Sequence, residues 1–299
     1  MAMTMTEFRR LADPDLDEIW HEDEPQYEEQ WSQVFNTLTL DNLYTIHAQM
    51  AGFGPPTLIS EGDSVTYDEA LAPRERRYDI EKYGLGYKIT DKLWMNDRYA
   101  EVRQFEADLR RSDMDHTETY FFALLANATN TTISSGLDGL SLANTSHVRM
   151  DGGSVQANRP TALTALSLTA YEDAVIAFTK FKDERGRPYR STPRRLVTGL
   201  DLVLVANEIL ASPMNPSTAN NATNAVRNVF SVEAMATPYI TSTTFWSLMG
   251  DGHDINAGWR MRPQQKSEED VDTDTIKRNT RKWVFRGHGR WNSYYLGNS

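Results

Sequence analysis

The longest stretch of helical spacing lies in the first half of the chain. Tyr99, Val102, Phe105, Leu109, His116, Tyr120 and Leu124 recur at intervals of three, four or seven, which predicts a long helix over Asp97–Asn127 with one apolar stripe. Some 30 residues at ~1.5 Å each give a rod of roughly 45 Å, with Asp97 placed to cap it. Upstream, Ser64–Ala70 and Arg76–Thr90 alternate between apolar and polar positions on either side of Leu71–Glu75. That pattern predicts a two-stranded ribbon from Gly62 to Asp91. Gly84 and Gly86 in its second strand mark a bend or a close approach. A lone hairpin is marginal in water, so a ribbon this polar calls for a surface to lie on.

Beyond the long helix the elements are shorter. Residues 129–160 are rich in Asn, Thr, Ser and Gly and read as irregular structure. Leu168, Tyr171, Val175 and Phe178 predict a second helix over Leu168–Phe181, closed by the turn Asp183–Pro188 with Gly186 in a C-cap-like position. A third helix is expected over Asp201–Leu210, and Ser212–Asn224 is a polar loop. Short strands are expected at Leu196–Val197, Val226–Glu233, Thr244–Met249, Gly258–Arg262 and Trp283–Arg286. The fold class is α+β.

Charge is distributed unevenly. Residues 1–30 hold ten acids (Glu7, Asp13, Asp15, Asp17, Glu18, Glu22, Asp23, Glu24, Glu28 and Glu29) against Arg9 and Arg10, so −8 of the chain's net −11 falls there. Phe8, Leu11 and Trp20, with Trp31 just beyond, are interspersed with these acids. Large apolar groups at such intervals suit an arm lying against another surface better than a free tail. Residues 260–290 run the other way, with nine bases against five acids and Trp259, Trp283, Phe285 and Trp291 nearby. A nucleic-acid strand is one reading of that stretch and a sheet with charged outer edges the other. The overall −11 favours the second, because phosphate neutralisation dominates nucleic-acid affinity. With 39% hydrophobic and 24% charged residues, the chain can bury a core. No apolar run reaches the length of a membrane span, so no membrane partner is expected.

Sites of chemistry were sought by spacing. The chain has no cysteine, which removes thiolate chemistry and cysteine-bound metals. Gly152-Gly153-Ser154-Val155-Gln156 lacks the closing glycine of a nucleophile elbow, and Gly84-Leu85-Gly86 lacks the third glycine of a dinucleotide fingerprint. Asp270, Asp272 and Asp274 open like a calcium loop, but Thr275 and Arg281 stand where glycine and glutamate are needed. The six histidines form no HxxxH or HExxH pair; His116 is expected to be packed on the helix stripe. No catalytic, cofactor-binding or metal-binding residue is therefore assigned, and no cofactor is expected.

The order of these elements resembles the Hong Kong 97 capsid fold, and the motifs resemble the Mu-like branch of major head subunits. The stretches that carry the likeness are Gly136–Asn158 (GLDGLSLANTSHVRMDGGSVQAN), Lys180–Pro188 (KFKDERGRP), Pro193–Ser212 (PRRLVTGLDLVLVANEILAS) and Val232–Asp251 (VEAMATPYITSTTFWSLMGD). They cover most of the chain from about residue 60 onward. The resemblance implies an N-terminal arm over 1–60, an extended E-loop over 61–92 and a spine helix at about 97–130. The peripheral (P) domain would take 93–164 and 245–299, and the axial (A) domain 165–244. It implies the major capsid protein of a tailed bacteriophage, a structural rather than enzymatic protein. Such a subunit self-assembles into hexamers and pentamers of an icosahedral virion shell that encloses double-stranded DNA. Portal, scaffolding and cement proteins would be partners, and assembly would occur in the host cytoplasm. Some relatives begin with a longer scaffolding region that a protease removes. With about 60 residues ahead of the E-loop here, scaffolding is expected from a separate protein or from the arm. Inter-subunit contacts are expected at the ribbon tip (Glu69, Arg74, Glu75, Arg76 and Arg77) and on the arm (Phe8, Leu11, Trp20 and Trp31). An encapsulin-type cargo shell, or a hydrolase with an unrecognised site, are the alternatives.

Overall fold

A helix can lie along a sheet only if the residues between them are satisfied, and here that layer is ionic as well as apolar. In the computed structural model, residues 20, 29–90, 92–93, 99–214, 223–270, 273 and 275–299 are described. Their elements run α1 (Trp31–Val34), β1 (Asn36–Thr39), β2 (Tyr44–Gln49), β3 (Arg74–Asp79), β4 (Glu81–Thr90), α2 (Tyr99–Ala126), α3 (Leu168–Thr179) and β5 (Pro193–Gly199). They continue with α4 (Val203–Ala211), α5 (Val226–Val229), β6 (Glu233–Thr237), β7 (Trp246–Gly250), β8 (Ile255–Asp270), β9 (Thr275–His288) and β10 (Tyr294–Asn298).

The first sheet has the order β1-β8-β9-β4. β8 and β9 form a long antiparallel hairpin from Ile255↔His288 to Asp270↔Thr275, and β4 adds antiparallel to β9. β1 pairs parallel with the start of β8, Asn36↔Asn256 to Thr39↔Trp259. Every second residue of β9, from Ile276 through Arg278, Thr280 and Lys282 to Val284, is buried on the face that α2 covers. Along this stripe α2 buries Val102, Glu106, Leu109, Asp113, Thr117, Tyr120 and Leu124, and near its end it also buries Glu118, Phe121, Phe122 and Leu125. The expected stripe therefore turns by one residue in its middle. Phe105 is 40% exposed and His116 lies at the surface, its ring against Tyr83 at 4.5 Å. Ion pairing, not hydropathy, fixes the helix face there. Lys282 Nζ lies 3.1 Å from Asp113 Oδ1 and donates to the Asp113 carbonyl at 2.6 Å and Thr117 Oγ1 at 2.7 Å. Arg278 Nε lies 3.1 Å from Glu106 Oε2, which also accepts from the Tyr87 hydroxyl. The expected cap Asp97 lies outside the described residues.

The second sheet has the order β10-β7-β5-β6, with β5 and β6 parallel and the rest antiparallel. It joins the first through one continuous core. Trp31 packs against Phe121 at 4.5 Å and Trp259 at 5.9 Å, while Phe122 stacks on Tyr239 at 6.0 Å. Trp246, Tyr171 and Phe178 extend the same cluster under α3.

Three expectations change. The predicted ribbon partner Ser64–Ala70 is not a strand; β3 pairs instead with β2, Tyr44↔Asp79 to Gln49↔Arg74, in a two-stranded sheet of its own. Val226–Val229 is a helical turn, and the strand begins at Glu233. The segment 245–299, expected to return to one unit, is shared. β8 and β9 build the first sheet, while β7 and β10 join β5 and β6 in the second.

Candidate functional site

The most exposed apolar surface belongs to the β2–β3 hairpin and residues 50–73, which connect its strands. Leu58 is 98% exposed and Tyr67 91%, and Met50, Phe53, Ile59 and Val65 are exposed with them. Residues 50–73 also contain Glu61, Asp63, Asp68 and Glu69 but no Lys or Arg. Single exposed apolar side chains are ordinary, but a connected run on one projecting element marks an interaction surface.

The base of this hairpin is fixed by the turn after α3. Gly186 there has φ +77°, a left-handed conformation that glycine adopts without strain. Asp183 accepts from the Arg185 and Arg187 amides at 2.9 and 2.8 Å and from Arg187 Nε at 2.7 Å, which fixes the turn. Arg185 then reaches across both arms of the connection. It donates to the Gly52 carbonyl at 2.8 Å and to the Glu69 carbonyl, and lies 3.6 Å from the Asp68 carboxylate. Glu184 accepts from Gln49 Nε2 at 3.2 Å and from the Met150 amide at 2.7 Å, with Arg74 Nη1 at 3.9 Å. Hydrogen bonds to charged groups contribute about 1.5–3 kcal/mol each, so the hairpin root is held while its far end stays uncovered.

The expected ribbon-tip residues therefore sit elsewhere. Arg74, Glu75, Arg76 and Arg77 lie along β3 opposite Gln49, Ala48, His47 and Ile46, at the root and not at the tip. Arg74 donates to the Val148 carbonyl at 3.0 Å, and Arg77 pairs with Asp79 at 2.7 Å and stands 4.3 Å over the Tyr44 ring. Glu75 and Arg76 are exposed. Of the arm residues, Phe8 and Leu11 lie outside the described residues, and Trp20, expected to contact a neighbour, is instead buried within its own chain at 8% exposed. Trp31 is a correction: 2% exposed, it belongs to its own subunit's core and cannot reach a neighbour. What places it there is Glu118 of α2, whose carboxylate accepts from the Gln30 and Trp31 amides at 2.9 and 3.0 Å. Burial pushes that carboxyl up to about 7.

Sequence spacing missed a second organising cluster. His147 is buried, with Nδ1 2.6 Å from Asp138 Oδ2, Nε2 3.2 Å from Asn158 Oδ1 and its ring stacked on Trp291 at 4.3 Å. Its Asp partner is nine residues upstream, a separation with no motif signature. His288 lies beside this cluster, and a Cβ on Gly136 would come 2.7 Å from its Nε2. Burial holds the His288 imidazole down to about 3. A base whose folded pKa lies below its unfolded value of about 6.5 stabilises fully above that value and loses the contribution as pH falls toward 3. The acid limb of a denaturation-midpoint profile should therefore flatten in His288→Leu between about pH 6 and 4. An unchanged slope would remove His288 as its source.

Among the described residues no group of His, Asp or Glu could hold a metal ion. Of the calcium-like triad, Asp272 and Asp274 lie outside the described residues, and Asp270 is paired with Lys277. A cleft of about 480 Å³ beside Arg194, Arg195 and His253 is lined by charges that already pair, Arg194 with Asp251 at 3.9 Å and Arg195 with Glu233 at 3.7 Å. No described helix is long and apolar enough to cross a membrane.

The chain matches the family described as phage capsid protein over residues 74–290. It belongs to that family. Solved structures agree in fold. The capsid of an empty GTA particle superposes with a TM-score of 0.59 at 9% identity, covering 94% of this chain and 96% of the other. The Mycobacterium phage Bobi structure gives 0.55 at 11% identity over 99% and 98%. The capsid of bacteriophage JBD30, decorated with minor capsid protein trimers, gives 0.54 at 13% identity over 75% and 95%. No curated protein matches the chain. The subunit is thus a major capsid protein with the Hong Kong 97 fold of tailed phages, located in the virion shell and structural rather than enzymatic.

Proposed function

We propose that copies of this capsid protein close into hexamers and pentamers of an icosahedral shell around double-stranded DNA, assembled in the host cytoplasm. Portal and scaffolding proteins would complete the shell, and the minor capsid protein trimers that decorate the JBD30 capsid make a protein of that kind a further partner to test. The β2–β3 hairpin with residues 50–73 takes the role of the E-loop, earlier in the chain than 61–92, and α2 that of the spine helix. β4, β8 and β9 belong with the P domain, and β5, β6, β7 and β10 with the A domain.

One observation carries this reading. A hairpin whose root is clamped by Arg185 and Glu184 presents Leu58 and Tyr67 to solvent, where they gain nothing unless a neighbour covers them. Such extensions, repeated around a closed shell, would add to the ~1,600 Å² of an ordinary interface. Glu75 and Arg76, exposed on β3, remain candidates for contacts between copies, each exposed pair contributing about 0–1 kcal/mol. No observation favours a cargo compartment or a hydrolase. Negative-stain microscopy of the purified chain should show closed, uniform particles. A chain that stays a monomer under every assembly condition would refute the proposal.

A further inference from the structure

β4 is an open edge of the first sheet. β9 holds it on one side, and among the described residues no main-chain hydrogen bond reaches it from the other. Tyr83, Tyr87 and Ile89 face α2, with Tyr83 against His116 and the Tyr87 ring 6.0 Å from Phe105. Leu85, between the two tyrosines in the strand, shares that face and yet is 50% exposed, and Phe105 and His116 are exposed with it. On the opposite face Lys82, Gly84, Gly86 and Lys88 are all exposed, and no ion pair among the described residues engages either lysine. A long open edge invites another strand, and proteins cover such edges or charge them. Residues 82–88 read Lys-Tyr-Gly-Leu-Gly-Tyr-Lys, the same in both directions. A second β4 laid antiparallel to the first therefore presents the same side chains in the same order.

Self-complementarity of this kind is what an isologous contact requires, where one patch meets itself across a two-fold axis, and an icosahedral shell contains such axes. We propose that β4 pairs antiparallel with β4 of a second copy across a two-fold at Gly86, joining two first sheets into one. The inference rests on the shell reading, since copies must meet for it to operate. Charge selects the register. An axis at Leu85 would set Lys82 opposite the partner's Lys88, and like charges directly across strands destabilise a sheet. An axis at Gly84 would pair β4 over residues 81–87 only, because the strand begins at Glu81. At Gly86 the pairing runs over residues 82–90. Lys88 then lies over the partner's Gly84, Lys82 meets the partner's Thr90, and the partner's Tyr87 covers Leu85. A Cβ on Gly86 would meet the Arg278 carbonyl at 2.6 Å, so β9 keeps that position bare and the axis clear. Some nine residues at ~3.4 Å each give a seam of about 30 Å, with about eight to ten main-chain hydrogen bonds along it. A single seam this narrow falls short of the ~1,600 Å² of an ordinary interface, so it acts as one joint among several in a shell and gives no free dimer.

The chain has no cysteine, so introduced thiols report the register directly. Shells assembled from an equal mixture of Leu85→Cys and Tyr87→Cys chains, then oxidised, should yield disulfide-linked dimers at least tenfold above shells of either variant alone. Lys82→Cys mixed with Thr90→Cys should do the same at the end of the seam. Particles formed by each single variant show that it folds. Thr90→Glu, which sets an acid opposite the partner's Lys82, should raise the urea concentration at which shells dissociate. Leu85→Lys should lower it while leaving the urea midpoint of the unassembled subunit little changed, since Leu85 is half exposed. Abundant dimers from Leu85→Cys chains alone would place the axis at Leu85 and overturn the register. Shells that assemble but stay unlinked in both mixtures would give the edge to another occupant and overturn the pairing, with the shell reading intact. If the unaltered chain forms no particles at all, the shell reading fails, and this inference with it.

Discussion

Lys282→Met should destabilise the unassembled subunit by about 3–5 kcal/mol, measured by urea denaturation, because it strands the Asp113 carboxylate under α2 without its partner. Lys282 is 1% exposed and Asp113 6%, and three contacts from one ammonium group disappear together. Burial already lowers the Lys282 pKa, a sign of what desolvating this charge costs. The informative companion is Asp113→Leu/Lys282→Met. Replacing a buried pair by apolar residues of similar volume is often neutral or stabilising, so the double variant should recover most of the loss. Thr117 keeps a partner in that variant, since its hydroxyl also donates to the Asp113 carbonyl at 2.8 Å. A double variant as unstable as the single one would mean that the charges specify the helix position and do more than tolerate it.

Leu58→Asp/Tyr67→Asp should leave the subunit's stability within about 0.5 kcal/mol, because both side chains are almost fully exposed. Shell yield should nevertheless collapse. Burying a large apolar side chain contributes about 1.5–3 kcal/mol, so losing two per contact weakens each association by roughly 100-fold or more. Sedimentation would separate these readings, with a folded monomer peak growing as the particle peak vanishes. Particles at wild-type yield would show that residues 50–73 are not the contact. Arg185→Ala, which frees the hairpin root without touching its far end, should give an intermediate yield and faster amide exchange over residues 50–73.

The long helix was legible from its spacing, yet its facing residues were not. Glu106 and Asp113 read as solvent positions until Arg278 and Lys282 are placed opposite them, and that pairing joins segments far apart in sequence. The same cause hid most of β8 and β9. A strand with ions buried on one face and bases exposed on the other shows no hydropathic alternation, so only Gly258–Arg262 and Trp283–Arg286 stood out. Ser64–Ala70 misled in the opposite sense. Its alternation of Val65 and Tyr67 is real, but both are exposed and pair with no strand. β2, the true partner of β3, is half exposed and has too little apolar contrast to announce itself. Of the assembly residues, Trp31 was misplaced because a Trp beside an acidic run looks the same whether it covers a neighbour or enters its own core. The turn Lys180–Pro188 was visible as a turn, but its hold on Gly52 and Glu69 was not.

The parallel pairing of β1 with β8 has a bearing on how the protein is made. Residues 36–39 cannot find their partners until residues 256–259 have left the ribosome, and β7 waits on β10 at 294–298. Contacts this remote along the chain close slowly. A nascent polypeptide therefore cannot complete either sheet before residues 256–259 and 294–298 have been made. Until then the unpaired edges of β1 and β7 are open to other copies, so early translation products are the ones that most need shielding.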